Sequence, residues 1–205
     1  MRNPVLWGDP TAKKFEIGVD RGVLYLQDGG GVAWNGLISV EENSNTEDPT
    51  PVYHDGVRVN NVAKPREYSG VLTAYTYPDE FSLYDGYGTN GRGVYIGEQT
   101  PRTFGLSYRT LLDDGKNYKI HLLYNLTATP STFLNTTIGS DMTPTQFAWK
   151  LVGVPEEIPG FRPTAHVVLD TREIASYDLP IIEGILYGSD VREPRLLSAH
   201  DAMAI

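Results

Sequence analysis

The feature that most constrains this chain is an alternation of apolar and polar residues with a period of two. In "KKFEIGVD" it places Phe15, Ile17 and Val19 on one face, and it recurs over "REYSGVLTAYTYP", residues 66–78. Because successive side chains of a β-strand point to opposite faces, this period predicts half-buried strands. The same reasoning predicts strands in "VLYLQ", "WNGLISVEE", "TFGLSYRTLL", "NYKIHLLYNL", "TQFAWKLVGV" and "TAHVVLD".

Turn-forming residues separate these segments. The 21 glycines and 14 prolines, together with many tyrosines, favour an all-β chain with long connections. Arg21-Gly22 is predicted to be a turn, and "DGGG" at residues 28–31 a flexible break between strands. Residues 43–66 are predicted to form a long projecting loop that carries its own hairpin, with Asp55-Gly56 at the tip.

Helical patterns are short and lie beside or after the strands. "PDEFSLYDG" has a proline and two acids at its start and a glycine at its end, which is typical of a short helix. "DLPIIEGILYG" has apolar residues at helical spacing, and the last residues form a second helix or an ordered tail. We therefore divide the chain into an N-terminal arm (1–12), a β-sandwich domain (13–175) and a C-terminal helical segment (176–205).

Composition narrows the classes of function. The net charge of −9 (17 basic against 26 acidic residues) argues against a protein that grips a phosphate backbone. The chain has no cysteine, which excludes disulfides and thiolate metal sites. No run of about 18 apolar residues is present, so no membrane partner is expected. The start lacks the apolar core of a signal peptide, and we expect no signal-dependent secretion.

No motif predicts catalysis, a cofactor or a metal. Gly86-Tyr87-Gly88-Thr89-Asn90-Gly91 matches the dinucleotide pattern G-x-G-x-x-G, but the pattern needs a preceding strand and a following helix, which are not predicted here. The four histidines, His54, His121, His166 and His200, show no ligand spacing. Adjacent carboxylates such as Glu41-Glu42 point to opposite faces of a strand. The sequence therefore predicts a non-enzymatic protein without a cofactor.

A resemblance to a known family extends over most of the chain, from about Lys13 to about Tyr187. The blocks "KKFEIGVDRGVLYLQDGGGVAWNGLISVEE", "TAYTYPDEF", "FGLSYRT", "YKIHLLYN", "PTQFAWKL" and "PGFRPTAHVVLDTR" resemble the major tail, or tail tube, proteins of long-tailed bacteriophages of actinobacterial hosts. The resemblance implies a β-sandwich or half-barrel with a flanking helix. It also implies hexameric rings that stack into a tube for genome passage.

The same resemblance implies a location and partners. The protein would be assembled in the host cytoplasm and reside in the virion tail, beside tape measure, distal tail and terminator proteins. Double-stranded DNA would pass through the tube without specific binding. Distal tail and terminator proteins share the general fold, so either remains an alternative to the tail tube.

Three sets of residues are expected to serve such an assembly. Because the long loop is polar and carries a hairpin, we expect contacts between rings at Asn45, Asp48, His54, Asp55 and Arg58. Because a lone domain would struggle to bury the apolar groups at both ends, we expect contacts between subunits at Trp7, Leu196, Leu197 and Ile205. Acids near the strand ends are candidates for a DNA-repelling lumen wall: Glu16, Asp20, Glu41, Glu42 and Glu67.

Two alternatives from other classes remain open at this point. A carbohydrate-binding β-sandwich would need exposed aromatic platforms, for which the sequence offers Trp7, Trp34 and Trp149. Trp34 and Trp149 lie in or at the start of predicted strands, where core packing is the commoner role. A β-sandwich glycosidase would need two carboxylates that face each other across a cleft.

Overall fold

The computed structural model describes residues 15–45, 50–62, 67–112, 115–131, 135, 137 and 144–205. Strands hold 47% of the described residues and helices 11%, so this part of the protein is mainly β. The strands are β1 (Glu16–Tyr25), β2 (Gly31–Trp34), β3 (Leu37–Asn45), β4 (Thr50–His54), β5 (Val57–Val62), β6 (Glu67–Ala74), β7 (Gly88–Thr89), β8 (Tyr95–Ile96), β9 (Phe104–Leu112), β10 (Tyr118–Pro130), β11 (Phe147–Gly153) and β12 (His166–Asp170).

Eight of these strands form one antiparallel sheet. Its order is β2-β1-β9-β10-β11-β6-β3, and β12 pairs with β10 beside β11. Strand β10 is long enough for two partners on one side: residues 119–123 pair with β12 and residues 126–130 pair with β11. A bulge between Leu123 and Leu126, with Asn125 at a φ of 48°, separates the two pairings.

The sheet folds over on itself, which gives the two layers of a β-sandwich. Residues from both halves meet in one inner core, with Leu24 and Leu106 from one half and Leu72 and Leu151 from the other. Trp34 and Trp149 pack edge to face at its centre. The inner core therefore joins strands that are distant in sequence and sets the curvature of the whole sheet.

A second, outer core lies on the other face of strands β1, β10 and β12. Two helices cover it, α1 (Leu179–Leu186) and α2 (Ala199–Met203). Ile182 and Leu186 of α1 pack there with Ile120 and Leu122. We call this the covered face. On strands β3, β6 and β11 the corresponding side stays open to solvent, with Glu41, Lys150 and Val152 exposed, and we call it the bare face.

Several predicted turns are present, and one is wrong. The hairpin between β4 and β5 turns at Asp55-Gly56, where both residues have positive φ as a type I′ turn requires. The "DGGG" stretch turns the chain between β1 and β2, with Gly29 and Gly30 at positive φ. Arg21-Gly22 does not end a strand. It lies within β1 beside a register shift, so the strand continues through a bulge.

The predicted short helix after β6 is a 3₁₀ helix, Asp79–Leu83. Phe81 of this helix is fully buried and contacts Trp34 and Trp149 in the inner core. The segment therefore caps one end of the sandwich. None of the three helices in the described part of the chain has the length and apolar character needed to cross a bilayer.

Candidate assembly surfaces and a histidine–glutamate cluster

The β4–β5 hairpin is the first candidate surface. Its described side chains, residues 51–59, are all exposed, and four of them are large and apolar: Val52, Tyr53, Val57 and Val59. Val57 is directly opposite His54, and Tyr53 is directly opposite Arg58. Because paired residues lie on the same face, apolar groups occur on both faces of the ribbon. A two-stranded ribbon of this kind is marginally stable in water by itself.

The expected inter-ring residues fall on this hairpin and its approach. His54 and Asp55 lie next to each other at the tip, with 3.3 Å between the imidazole Nδ1 and the carboxylate. Arg58 lies on β5. Asn45 is the last residue of β3, which leads toward the hairpin. Asp48 lies outside the described residues.

The bare face is the second candidate surface. Val71 of β6 is paired with Glu41 on one side and with Lys150 on the other, so these three side chains form a row. Glu67 lies two positions before Ser69 on the same face of β6. Both expected wall acids here, Glu41 and Glu67, are exposed.

The other expected wall acids lie elsewhere. Asp20 accepts two hydrogen bonds from Arg109, of 2.8 and 2.6 Å, and the guanidinium lies over the Tyr118 ring beside α1. This places Asp20 on the covered face. Glu16 pairs with Lys119 and accepts a hydrogen bond from Thr110 at the edge of the inner core. These two ion pairs hold β1 to β9 and β10.

Glu42 belongs to a polar cluster at one end of the inner core. Its side chain extends from β3 to His121 on β10 and His166 on β12. The carboxylate Oε1 lies 3.3 Å from His121 Nδ1 and 3.5 Å from His166 Nε2. The two imidazole nitrogens are 3.0 Å apart. Three atoms that can bind a cation thus converge from three strands.

Neighbouring groups hold this cluster in place. Tyr108 donates its hydroxyl proton to Glu42 Oε1, and its ring stacks on His121 at 4.5 Å between centroids. His121 Nε2 lies 3.1 Å from Thr110 Oγ1. Thr110 donates its single hydroxyl proton to Glu16, so its oxygen accepts from His121. Neutral His121 therefore carries its proton on Nε2, and its Nδ1 lone pair faces Glu42.

The electrostatics of the cluster favour the carboxylate form of Glu42. Burial opposes its ionisation, but its contact with the His121 imidazole, the hydrogen bond from Tyr108 and the nearby His166 outweigh burial and lower the pKa of Glu42 to about 2. Burial lowers the pKa of His166, although the Glu42 charge opposes this shift. Burial and the hydrogen bond to Glu42 raise the pKa of Tyr108 far above its usual range, so the phenol keeps its proton.

Sequence reasoning missed this cluster because its members are far apart along the chain. Metal motifs are recognised by short spacings, whereas here the ligands come from three separate strands. The pairing of Leu123 with His166 and of His121 with Val168 makes the two histidines diagonal neighbours. Only the alternation along "KIHLLYN" offered a signal, since it places His121 on the same face as Leu123.

The C-terminal residues divide into two groups. Leu197 is buried in the outer core of its own chain, and Leu196 packs against that core. This corrects the reason for expecting them between subunits, because a single domain buries Leu197 and partly buries Leu196. Ile205 and Met203 are half exposed. Trp7 lies outside the described residues.

The carbohydrate-binding alternative loses two of its three aromatic candidates. Trp34 and Trp149 are each 2% exposed, and both pack against Phe81 in the inner core. Side chains buried in this way cannot present a platform to a sugar.

Comparisons with known proteins give distant structural neighbours only. No family model matches the chain, and no curated protein matches it. A cryo-EM structure of the sheath–tube complex of an extracellular contractile injection system (PVC) is 12% identical, with a TM-score of 0.40, over 74% of this chain and 89% of that one. The tube-terminating cap of the anti-feeding prophage is 12% identical, with a TM-score of 0.42, over 82% and 100%.

The PVC sheath/tube terminator is similar at 13% identity, with a TM-score of 0.40, over 77% of this chain and 99% of that one. All three TM-scores are below 0.5, so the superpositions themselves carry no functional argument.

Proposed function

We propose that this protein is a structural component of a bacteriophage tail, and specifically the subunit of hexameric rings that stack into the tail tube. In this proposal it acts as a non-enzymatic building block. It contacts its own copies and other tail proteins, and DNA passes through the tube without being held. The order of the quoted sequence blocks supports the tail assignment, and the mainly β fold agrees with it.

The observation that carries the proposal is the exposed β4–β5 hairpin. Val57 and Val59 lie on one of its faces and Tyr53 on the other, all exposed in the single chain. Covering a side chain of this size stabilises a contact by about 1.5–3 kcal/mol. Repetition around a ring multiplies that gain. A hairpin that is apolar on both faces fits between two other chains, such as subunits of an adjacent ring.

The edges of the main sheet support ring formation. Strands β2 and β3 lie at the two ends of the sheet order, each with one strand partner in the described part of the chain. An edge strand offers unpaired backbone groups to another chain. Identical neighbours that pair edge to edge would satisfy those groups and close the ring. In such a ring the bare face, which no helix of the described residues covers, is the side we assign to the lumen.

Negative-stain electron microscopy combined with sedimentation velocity tests this function directly. Purified protein should convert with rising concentration from monomers to rings and tubes with a central channel. Short single rings that never lengthen would favour a distal tail or terminator role instead. A protein that stays monomeric at every concentration reached would contradict the assembly proposal.

A further inference from the structure

The Glu42–His121–His166 cluster has the dimensions of a metal site. Its three potential ligand atoms form a triangle with sides of 3.0, 3.3 and 3.5 Å. Zinc binds imidazole nitrogen at about 2.0–2.1 Å and carboxylate oxygen at about 2.0–2.2 Å in tetrahedral geometry, which separates its ligands by about 3.3 Å. The triangle therefore matches one face of a zinc tetrahedron without movement of the strands.

The hydrogen bonds around two of the three ligands, His121 and Glu42, are those that a zinc site needs. A ligating histidine donates its other ring N–H to an outer partner, and His121 does so to Thr110, which is fixed by Glu16 and Lys119. A ligating carboxylate is itself hydrogen-bonded, and Glu42 accepts from Tyr108. The outer shell thus directs the His121 Nδ1 lone pair toward Glu42 and His166, the side on which a cation would bind.

We propose that Glu42, His121 and His166 bind one zinc ion that clamps edge strand β3 onto β10 and β12. Two imidazoles and one carboxylate suit zinc better than magnesium, which prefers oxygen ligands and keeps its waters. The Glu42 side chain is 35% exposed, so the fourth coordination position lies toward solvent. The site lies within one chain and does not depend on the proposed tail assembly.

Metal content provides the first test. The protein is stripped with a chelator, dialysed, incubated with zinc chloride and passed through a desalting column, and zinc is measured by mass spectrometry. Wild type should retain one equivalent, also with millimolar magnesium present. Glu42→Gln and His166→Gln should each lose it. Glu41→Gln, on the opposite face of the same strand, and His200→Gln, an exposed histidine, should retain one equivalent.

Isothermal titration of the stripped protein adds a graded readout. Thr110→Val removes the partner of the His121 N–H but leaves all three ligands in place, so zinc affinity should fall about 10–100-fold. Near-ultraviolet circular dichroism checks that each variant is folded.

Nuclear magnetic resonance of the wild-type protein tests the proposal even if a variant fails to fold. Zinc should shift the ¹⁵N resonances of His121 Nδ1 and His166 Nε2 and leave those of His54 unchanged. Equal zinc retention by wild type and His166→Gln, or no change in the His121 and His166 resonances, would overturn the proposal.

Discussion

The covered and bare faces of the sheet are built from similar strands but differ in what packs against them. On the covered face, β1, β10 and β12 meet two helices of the same chain, and residues such as Ile120 and Leu122 are fully buried. On the bare face, β3, β6 and β11 present Glu41, Lys150 and Val152 to solvent. Among the described residues, the chain therefore covers one face of its sheet with its own helices and leaves the other face exposed.

This difference separates stability from assembly. Side chains of the covered face contribute to the free energy of unfolding of a single subunit, because their contacts lie within one chain. Side chains of the bare face and of the β4–β5 hairpin have few such contacts, so their replacement should affect a single subunit little. The predictions that follow are ordered by their expected effect on the stability of a single subunit.

The largest effect is expected for Leu122→Ala on the covered face. Removing a fully buried leucine from a site between β10 and the helices should lower the free energy of unfolding by about 2–5 kcal/mol. Urea denaturation followed by tryptophan fluorescence measures the change. Val152→Ala on the bare face, where the side chain is 42% exposed, is the control and should change stability by less than about 0.5 kcal/mol. Equal losses would remove the distinction between the faces.

A second, smaller effect on stability is expected for Glu42, because its side chain connects edge strand β3 to His121 of β10 and His166 of β12. Its folded-state pKa of about 2 lies below the ordinary value of 4.5. The ionised Glu42 carboxylate therefore stabilises the folded protein above about pH 4.5, and this stabilisation is lost as the pH falls toward 2. The full linkage value is about 3 kcal/mol, and solvent screening of a side chain that is one-third exposed reduces it to about 1–2 kcal/mol.

Glu42→Gln should therefore flatten the decline in stability between pH 4.5 and 2, measured by urea denaturation with a chelator present. Glu41→Gln is the matched control, since it removes a carboxylate from the same strand on the bare face. Identical acid profiles for wild type and Glu42→Gln would show that Glu42 does not lock the two layers together.

The β4–β5 hairpin should matter to assembly and hardly at all to the subunit. Deleting residues 44–62 should leave a folded protein that no longer stacks, as judged by circular dichroism and electron microscopy. A gentler change is Val57→Ser, at a side chain that is 64% exposed. It should alter subunit stability by less than about 0.5 kcal/mol and shorten or abolish tubes.

Val191→Ser is the control for this change, because Val191 is 96% exposed and lies outside the hairpin. It should leave both stability and tube length unaltered. Long tubes formed by the deletion variant would rule out the hairpin as a contact between rings.

Local patterns predicted much of this architecture. Alternation located most of the long strands, and the Asp55-Gly56 pair located a hairpin tip, because both depend on neighbours in sequence. Arg21-Gly22 was assigned to a turn incorrectly, since a bulge and a turn use the same positive φ. A bulge is distinguished from a turn here because β1 pairs again with β9 after Gly22. This pairing joins residues that are far apart in sequence, so the local pattern does not reveal it.

The functional groups were harder to predict for the same reason. The acids Asp20 and Glu41 look alike in sequence, yet Asp20 is paired with Arg109 on the covered face and Glu41 lies on the bare face. The ligand atoms of Glu42, His121 and His166 come together only because β3 lies over β10 and β12, and this depends on how the sheet folds. Leu197 similarly found its packing partners in its own chain, where the sequence suggested a neighbour.

The smallest effect on the subunit is expected on the bare face itself, where the double variant Glu41→Lys/Glu67→Lys should fold and assemble normally. Both side chains are exposed, so stability should change by less than about 0.5 kcal/mol. The matched control is Glu157→Lys/Glu193→Lys, which makes the same change of charge at exposed positions elsewhere on the surface, outside the sheet strands.

The two double variants should differ in how their tubes treat DNA. If the bare face lines the lumen, each new lysine adds a phosphate contact there, and releasing counterions makes retention rise steeply as salt falls. The wild-type carboxylates instead repel the DNA phosphates, and salt at 0.1 M screens this repulsion over about 10 Å. Tubes of Glu41→Lys/Glu67→Lys should therefore retain DNA at low salt and release it at high salt, whereas tubes of the control should not. Equal retention by both would place the lumen on another face.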